Sequence, residues 1–439
     1  MTTFAPGLAG LLPELRWRGM FHAASDGLEA RLATGRSITG YNGFDPSGPW
    51  LHIGHLVPIF GLIHLQRHGG RPIALVGGGT GMIGDPSGTT GERRLLDVET
   101  IQSYVDSQRP ELERFLDFSG ERGALMINNL DWLGPQLLLD WLRDVGKHFT
   151  IPYMLAKDSV QTRLERGLSF TEFSYMLIQA TDYAHLYRTL GVELQMGGAD
   201  QWGNITAGLE LIRRTGAMSG GAEPLPAADA TDAAFALAYP LLLAPSGAKF
   251  GKSAGGDTVW LHPDGTTPYA FYQHWLNTDD RDVSVYLRWF TLFEPDEIEA
   301  LEAELATHPE ARTAQRRLAE DLTTRVHGAA AARDAAAVST AAFSGGPIED
   351  PAVLAALHAA TDGFDYRAAD AEAGLVPLLV SSGTFASNGE ARRMIQSGGV
   401  SVNGARVAAA DAPLPEPIAG EWLVIRVGKR RLRVGRRVG

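Results

Sequence analysis

The sequence contains no cysteine. Disulfide scaffolds, zinc ribbons, iron–sulfur clusters and thiol catalysis are therefore excluded. It also has no apolar run approaching the roughly 20 residues that cross a bilayer. The stretch Met1-Thr2-Thr3-Phe4-Ala5-Pro6 has no basic region leading into an apolar one, as a secretory signal would. A soluble cytoplasmic protein is the expectation. Positive charge is short as well. With 39 basic and 51 acidic side chains the formal net charge is −12. Taken alone, that argues against nucleic-acid binding.

Hydrophobic residues at 44% and charged residues at 21% describe an ordinary globular chain, so collagen-like and disordered readings fall away. A length of 439 residues suits two to four domains. The charge is unevenly spread. Residues 421–439 carry Arg426, Lys429, Arg430, Arg431, Arg433, Arg436 and Arg437 against Glu421. That basic end suggests either a docking surface for a polyanion or a solubilising tail.

Residues 37–215 read as α/β. Arg71–Val76 is a short apolar run ending in Gly77-Gly78-Gly79, as a buried strand entering a tight turn would be. Leu137–Leu142 and Ile205–Arg214 have helical spacing. Alternating strands and helices predict a Rossmann-like, doubly wound parallel sheet, whose ligands bind beyond the carboxyl ends of the strands. Residues 219–235 read as a surface loop. Residues 268–342 read as helical, with Ser344-Gly345-Gly346-Pro347 ending them. The stretch to 372 reads as a linker with weak helix. Short helices and Val/Ile/Arg-rich strands follow, a small α+β module.

Four patterns carry chemistry. In Leu51-His52-Ile53-Gly54-His55, two histidines at i and i+3 share the first turn of a helix. Imidazoles and the positive helix end then point together, which suits an anion such as a triphosphate, and Gly54 lets a ligand approach the backbone. A metal site would need a third ligand, and none is spaced for it. The second is Lys249-Phe250-Gly251-Lys252-Ser253, a cationic loop able to close on phosphates. The third is a helix opened by a Ser169/Glu172 capping box, with Tyr175, Gln179 and Asp182 on one stripe. These are hydrogen-bonding groups of fixed shape, unlike an ordinary solvated face, and they suggest a small-ligand pocket. The fourth, Gly79-Thr80-Gly81-Met82-Ile83-Gly84 with Asp97 further on, matches a dinucleotide fingerprint. The segment Asp85-Pro86-Ser87-Gly88 interrupts the helix that such a fingerprint needs, and no Walker A lysine follows.

Taken together, the histidine and lysine motifs resemble those of class I aminoacyl-tRNA synthetases. The chain is similar to the bacterial tyrosyl-tRNA synthetases in particular. The likeness is carried by Tyr41-Asn42-Gly43-Phe44-Asp45-Pro46, Gly84-Asp85-Pro86-Ser87-Gly88, Ser169–Met176 and Gly197–Asn204. It extends to Arg392–Gly404, which resembles the RNA-binding module ending many of these enzymes.

The resemblance implies tyrosine activation by ATP with Mg2+, followed by transfer to tRNA(Tyr), in a homodimer with Phe170 near its interface. It implies that Asp85, Tyr175 and Gln179 bind the amino acid's ammonium group, that Tyr41 and Asp182 hold its phenolic hydroxyl, and that Gln201 lies by the reacting carboxyl. ATP would be held by Gly43, Asp45, Ser47, Gly198 and Asp200. His52, His55, Lys249, Lys252, Ser253 and Arg93 would stabilise the pyrophosphate side. Arg392 and Arg393 would meet RNA. The implied organisation is a catalytic domain over 1–236, the lysine loop with a helical tRNA-binding domain over 237–345, a linker over 346–372 and the RNA-binding module over 373–439. Departures from the family pattern are Thr89 where some relatives carry lysine, Asn42 in place of a small residue, and Pro58 just after His55. The rival readings are a tryptophanyl-tRNA synthetase, an NAD-dependent oxidoreductase on the glycine turn, and an RNA-binding protein on an inactive synthetase fold.

Overall fold

The structure is a computed structural model that describes residues 4–85, 96–157, 160–161, 167–215, 234–242, 250, 258–343, 348–360, 363–428 and 431–439. The chain divides into two compact units, Met1–Gly265 with Thr278–Leu318, and Thr266–Asn277 with Ala319–Gly439. Neither unit begins or ends at 236, 345 or 372.

The first unit is built on a six-stranded sheet. Its strands are β1 (Ala23–Ala24), β2 (Thr39–Phe44), β3 (Arg71–Val76), β4 (Leu125–Asn128), β5 (Leu194–Gly198) and β6 (Phe235–Tyr239), in the order β1-β6-β5-β2-β3-β4. All pairs are parallel except β1 with β6. Strands covered on both faces become continuous apolar runs, and β6 is buried at every position. From β2 the chain steps outward to β3 and β4, then returns to lay β5 and β6 on the other side. The strand order therefore reverses between β2 and β5, and a crevice opens beyond their carboxyl ends.

Labelled in chain order, the helices that frame this crevice or brace it are α1 (Leu11–Arg18), α2 (Leu56–Arg67), α3 (Val98–Leu112), α4 (Phe170–Leu190), α5 (Trp202–Thr215) and α6 (Asp280–Phe290). Helix α2 carries Pro58 in its first turn, where a missing N–H is tolerated, and it runs on past the proline to Arg67. The Ser169/Glu172 capping box opens α4 as predicted, and Gly191 ends it at φ 62°. Asp97, the candidate acidic residue of a dinucleotide site, instead caps α3 by accepting from Thr100 N–H at 2.7 Å. Buried Arg18 ties α1 to the end of α6. It donates to Glu14 at 2.7 Å and to the carbonyls of Arg288, Thr291 and Phe293 at 2.9–3.0 Å.

The second unit contains the helices Pro268–Leu276 and Ala329–Phe343 and a five-stranded sheet. Its strands β7 (Phe364–Tyr366), β8 (Val400–Val402), β9 (Ala405–Arg406), β10 (Trp422–Val427) and β11 (Arg431–Arg437) take the order β7-β11-β10-β8-β9. The stretch 346–372 is expected from the sequence to be a linker with weak helix. Residues Pro351–Ala360 form a helix, and Phe364–Tyr366 add a strand parallel to β11. Phe364 and Tyr366 are buried in that unit's core, which repays the ordering of the segment. The basic end is also partly structural. Arg433 is buried under Phe364 and donates to the carbonyl of Ser382, and Arg436 pairs with Asp365 at 3.1 Å.

Candidate active site

A cavity of about 460 Å³ fills the crevice between β2 and β5. It gathers residues far apart in sequence: Tyr41, Gly43, Asp45, Ser47, His52, His55 and Asp85 from the first half of the unit, and Tyr175, Gln179, Asp182, Gly198, Asp200 and Gln201 from α4 and the end of β5. Phe250 reaches its rim. Lys249, Lys252, Ser253, Arg93 and Thr89 lie outside the described residues, as does most of the expected loop at 219–235.

One end of the cavity is set by the histidines. His52 caps a short 3₁₀ turn, Ile53–His55, that leads into α2. Its Nδ1 accepts from Gly54 N–H at 3.0 Å, and His55 Nδ1 accepts from His52 N–H at 3.0 Å. Each ring therefore carries its proton on Nε2. Burial keeps His55 neutral by pushing its pKa well below the usual value. Gly54 has a more local task than ligand approach. A Cβ there would sit 2.7 Å from the His52 ring. The residues after Leu51 are also stitched to a second segment: Ile53 N–H donates to Val259, and Leu261 N–H donates to Leu51 O.

The other end is set by α4. The Oδ1 of Asp182 accepts from Trp132 Nε1 and its Oδ2 from Asn129 Nδ2, both at 2.8 Å. Burial raises the carboxyl to about 8 despite those donors. The Tyr41 hydroxyl beside it is buried, and no described residue partners it; the same holds for Oε1 of Gln179. Such atoms await a polar ligand, since an unmet buried donor or acceptor costs about 1–3 kcal/mol.

Between the ends, the assigned groups are linked to one another. Tyr175 donates its hydroxyl to Asp45 at 2.6 Å, and Asp45 also accepts from Thr80 at 2.6 Å. Gln201 donates to Asp85 at 2.5 Å. Burial and the charge of Asp85 raise Asp200. Gly43 faces open space, so the backbone there is bare to the cavity. Asn42 lines the cavity and its Nδ2 donates to Pro58 O at 3.0 Å and to the Tyr239 hydroxyl at 3.4 Å, tying β2 to α2 and β6.

Sequence reasoning missed Asn128, which ends β4, and Asn129 and Trp132, which follow it. Polar residues at the carboxyl end of a strand in a doubly wound sheet were the available signal. They also dispose of the dinucleotide reading. Asn128 Oδ1 accepts from Gly78 N–H at 3.2 Å and Asn129 Oδ1 from Gly79 N–H at 2.7 Å, so those turn amides are already engaged. The turn closes into a 3₁₀ helix at Thr80–Met82, and the next helix described begins at Val98. Among the described residues, no phosphate-binding helix start follows the turn. Among the described residues no group of three or more His, Asp or Glu could hold a metal ion, and no helix is long and apolar enough to cross a membrane.

In the second unit, Arg392 and Arg393 are exposed on the helix Asn388–Gln396, followed by Gly398 at φ 71° and β8.

Comparison with known proteins agrees with this geometry. The family model of class I tRNA synthetases (W and Y) matches residues 33–344, and that of the tyrosine–tRNA ligase SYY-like C-terminal domain matches residues 358–434. The tyrosine–tRNA ligase of Anaeromyxobacter dehalogenans is 49% identical over 432 residues, covering 96% of this chain and 98% of that relative. That of Geobacillus stearothermophilus is 48% identical over 429 residues, with the same coverages. Among solved structures, a C-terminally truncated mitochondrial tyrosyl-tRNA synthetase from Aspergillus nidulans superposes with a TM-score of 0.68 at 28% identity, covering 76% of this chain and 94% of that one. The chain belongs to the tyrosine–tRNA ligases, within the class I tRNA synthetases.

Proposed function

We propose that the chain activates L-tyrosine with ATP and then charges tRNA(Tyr) at its 3′ end. In the first step a tyrosine carboxylate oxygen bonds to the α-phosphorus, and the bond to the bridging oxygen of the β-phosphate breaks. Tyrosyl-adenylate and pyrophosphate result. In the second step a terminal ribose hydroxyl attacks the carbonyl carbon and AMP leaves. Neither step needs a protein nucleophile, because alignment and charge stabilisation can carry this chemistry.

The observation that carries the reading is the two-ended cavity. The histidine Nε2–H groups stand at a helix start on one side, and the Tyr41 hydroxyl, which no described residue partners, stands beside buried Asp182 on the other. The phenol lies against Tyr41 and Asp182. The ammonium group meets Gln179, Asp85 and Tyr175, with Gln201 by the carboxyl. Gly43, Asp45, Ser47, Gly198 and Asp200 receive the nucleotide. His52, His55, Lys249, Lys252, Ser253 and Arg93 stabilise the leaving pyrophosphate, and Mg2+ enters as part of the ATP substrate. The second unit supplies Arg392 and Arg393 to the tRNA backbone. The exposed leucines 137–139 and Phe170 are the apolar surface of a homodimer that works in the cytoplasm.

Tyrosine-dependent exchange between ATP and pyrophosphate tests the reading. Exchange is expected with tyrosine and absent with tryptophan or phenylalanine. Exchange driven by tryptophan would overturn it.

A further inference from the structure

Helix α3 contributes nothing to the cavity lining, yet it grips the loop that leads into the histidine motif. Its Glu111 is buried, and Oε2 accepts from Leu51 N–H at 2.9 Å. One turn earlier, Gln108 is buried and donates to Gly48 O at 2.8 Å. Oε1 of each side chain is buried with no partner among the described residues.

The peptide planes around Leu51 show what this grip controls. The plane before Leu51 is held by Glu111 through its N–H. The plane after it is held by Leu261 N–H through the Leu51 carbonyl, and its own N–H, that of His52, donates to His55 Nδ1. Peptides are planar, so the only freedom left between the two planes is rotation about the two backbone bonds of Leu51. Any such rotation swings the His52 N–H and with it the bond that orients the His55 ring.

We propose that Glu111 is a positioning residue for adenylate formation, its carboxylate locking Leu51 so that His52 and His55 are held in line with the nucleotide. A neutral carboxamide could accept the same N–H. The carboxylate adds a charge-assisted bond, roughly twice as strong as a neutral one. A buried carboxylate with one bare oxygen is a poor choice for stability alone, because it must shed its hydration. Burial pushes the Glu111 carboxyl up to about 7, while the Leu51 N–H and the charge of Arg114 pull it back. Titratable groups on the elements around it include Arg109, Glu113 and Arg114 next to it in sequence, Asp45, His52 and His55 on the loop, and Asp264 with His262, which stacks on Trp50 at 5.0 Å. The carboxyl therefore ionises inside the working pH range, and the lock tightens as pH rises.

The inference rests on the tyrosine-activating reading, and Glu111→Gln tests it. Single-turnover adenylate formation is measured at saturating substrates for the unaltered and variant chains from about pH 6 to about pH 8.5, with tyrosine binding and thermal melts alongside. The ratio of unaltered to variant rate is expected to rise about fivefold across that range, midway near the carboxyl's ionisation, with tyrosine binding unchanged. Taking the ratio removes ionisations the two chains share. The melts are expected to move the opposite way. A carboxyl raised from its ordinary 4.5 to about 7 withdraws stability as pH climbs through that window, and glutamine does not. The variant should therefore melt no lower than the unaltered chain at high pH while reacting more slowly. A flat ratio would overturn the inference, as would parallel losses of rate and melting temperature at every pH. Glu111→Leu, if it folds, should be slow throughout, and a normal rate there would also overturn it. If the unaltered chain shows no tyrosine-dependent exchange, the activating reading fails instead. A flat ratio with exchange intact sinks the Glu111 inference alone.

Discussion

Replacing Tyr41 by phenylalanine removes one oxygen and leaves the ring in place. That ring is buried and packs edge-on against Tyr183 at 5.6 Å, so no cavity opens and no backbone need shift. The oxygen removed has no partner among the described residues, so the unliganded fold loses no hydrogen bond. Its melting temperature should stay level or rise slightly, because a buried unmet hydroxyl has been relieved. Bound tyrosine loses one neutral hydrogen bond, about 1 kcal/mol, which lowers kcat/KM for tyrosine roughly five- to tenfold. Asp182 remains anchored by Asn129 and Trp132, so the second arm of the phenol site survives. Phenylalanine makes no bond to Tyr41 and should be activated as slowly as before. Discrimination between the two amino acids thus falls by the same five- to tenfold, read as the ratio of their pyrophosphate-exchange rates. Equal losses with both substrates would refute the argument, since the hydroxyl would then not be reading the phenol. A melting temperature several degrees lower would refute it as well, by revealing a structural partner.

Two further outcomes follow from other parts of the molecule. Arg18→Met takes one partner from buried Glu14, which keeps His68 at 2.7 Å and Arg67 at 3.4 Å, and removes the donor to three carbonyls, and should lower unfolding free energy in denaturant by about 3–5 kcal/mol. Burial alone would raise the Glu14 carboxyl, but His68, His64 and Arg18 hold it well below the usual range. Its stabilisation is present above the ordinary carboxylate value near 4.5 and is lost as pH falls below it, so the variant should also show a flatter acid melt. Changing Arg392 and Arg393 to glutamate should leave pyrophosphate exchange intact, depress tRNA charging, and reduce the salt slope of RNA binding by about one per arginine.

Much of the site could be read from short windows of sequence. A Ser169/Glu172 box announces a helix start because cap geometry involves only neighbours. The i, i+4, i+7 spacing of Tyr175, Gln179 and Asp182 puts them on one face whatever surrounds the helix, and all three line the cavity. The two histidines end where a helix begins, again a matter of three residues. Those windows could not show that Tyr175 spends its hydroxyl on Asp45, 130 positions away, or that Asn129 and Trp132 orient Asp182. Nor could they show that Phe364–Tyr366 pairs with a strand some 70 residues later, or that Arg433 is buried rather than presented to solvent.

The division has a simple physical cause. Helix caps, turn glycines and face periodicity are settled by backbone sterics and nearest neighbours, and these are written in the order of residues. Which polar groups meet in the crevice depends on the order β6-β5-β2-β3 in space, a result of packing the whole sheet. Chemical identity was therefore local, while the pairing of Asp45 with Tyr175, of Asp182 with its donors and of Glu111 with Leu51 arose when distant strands and helices came together around a common core.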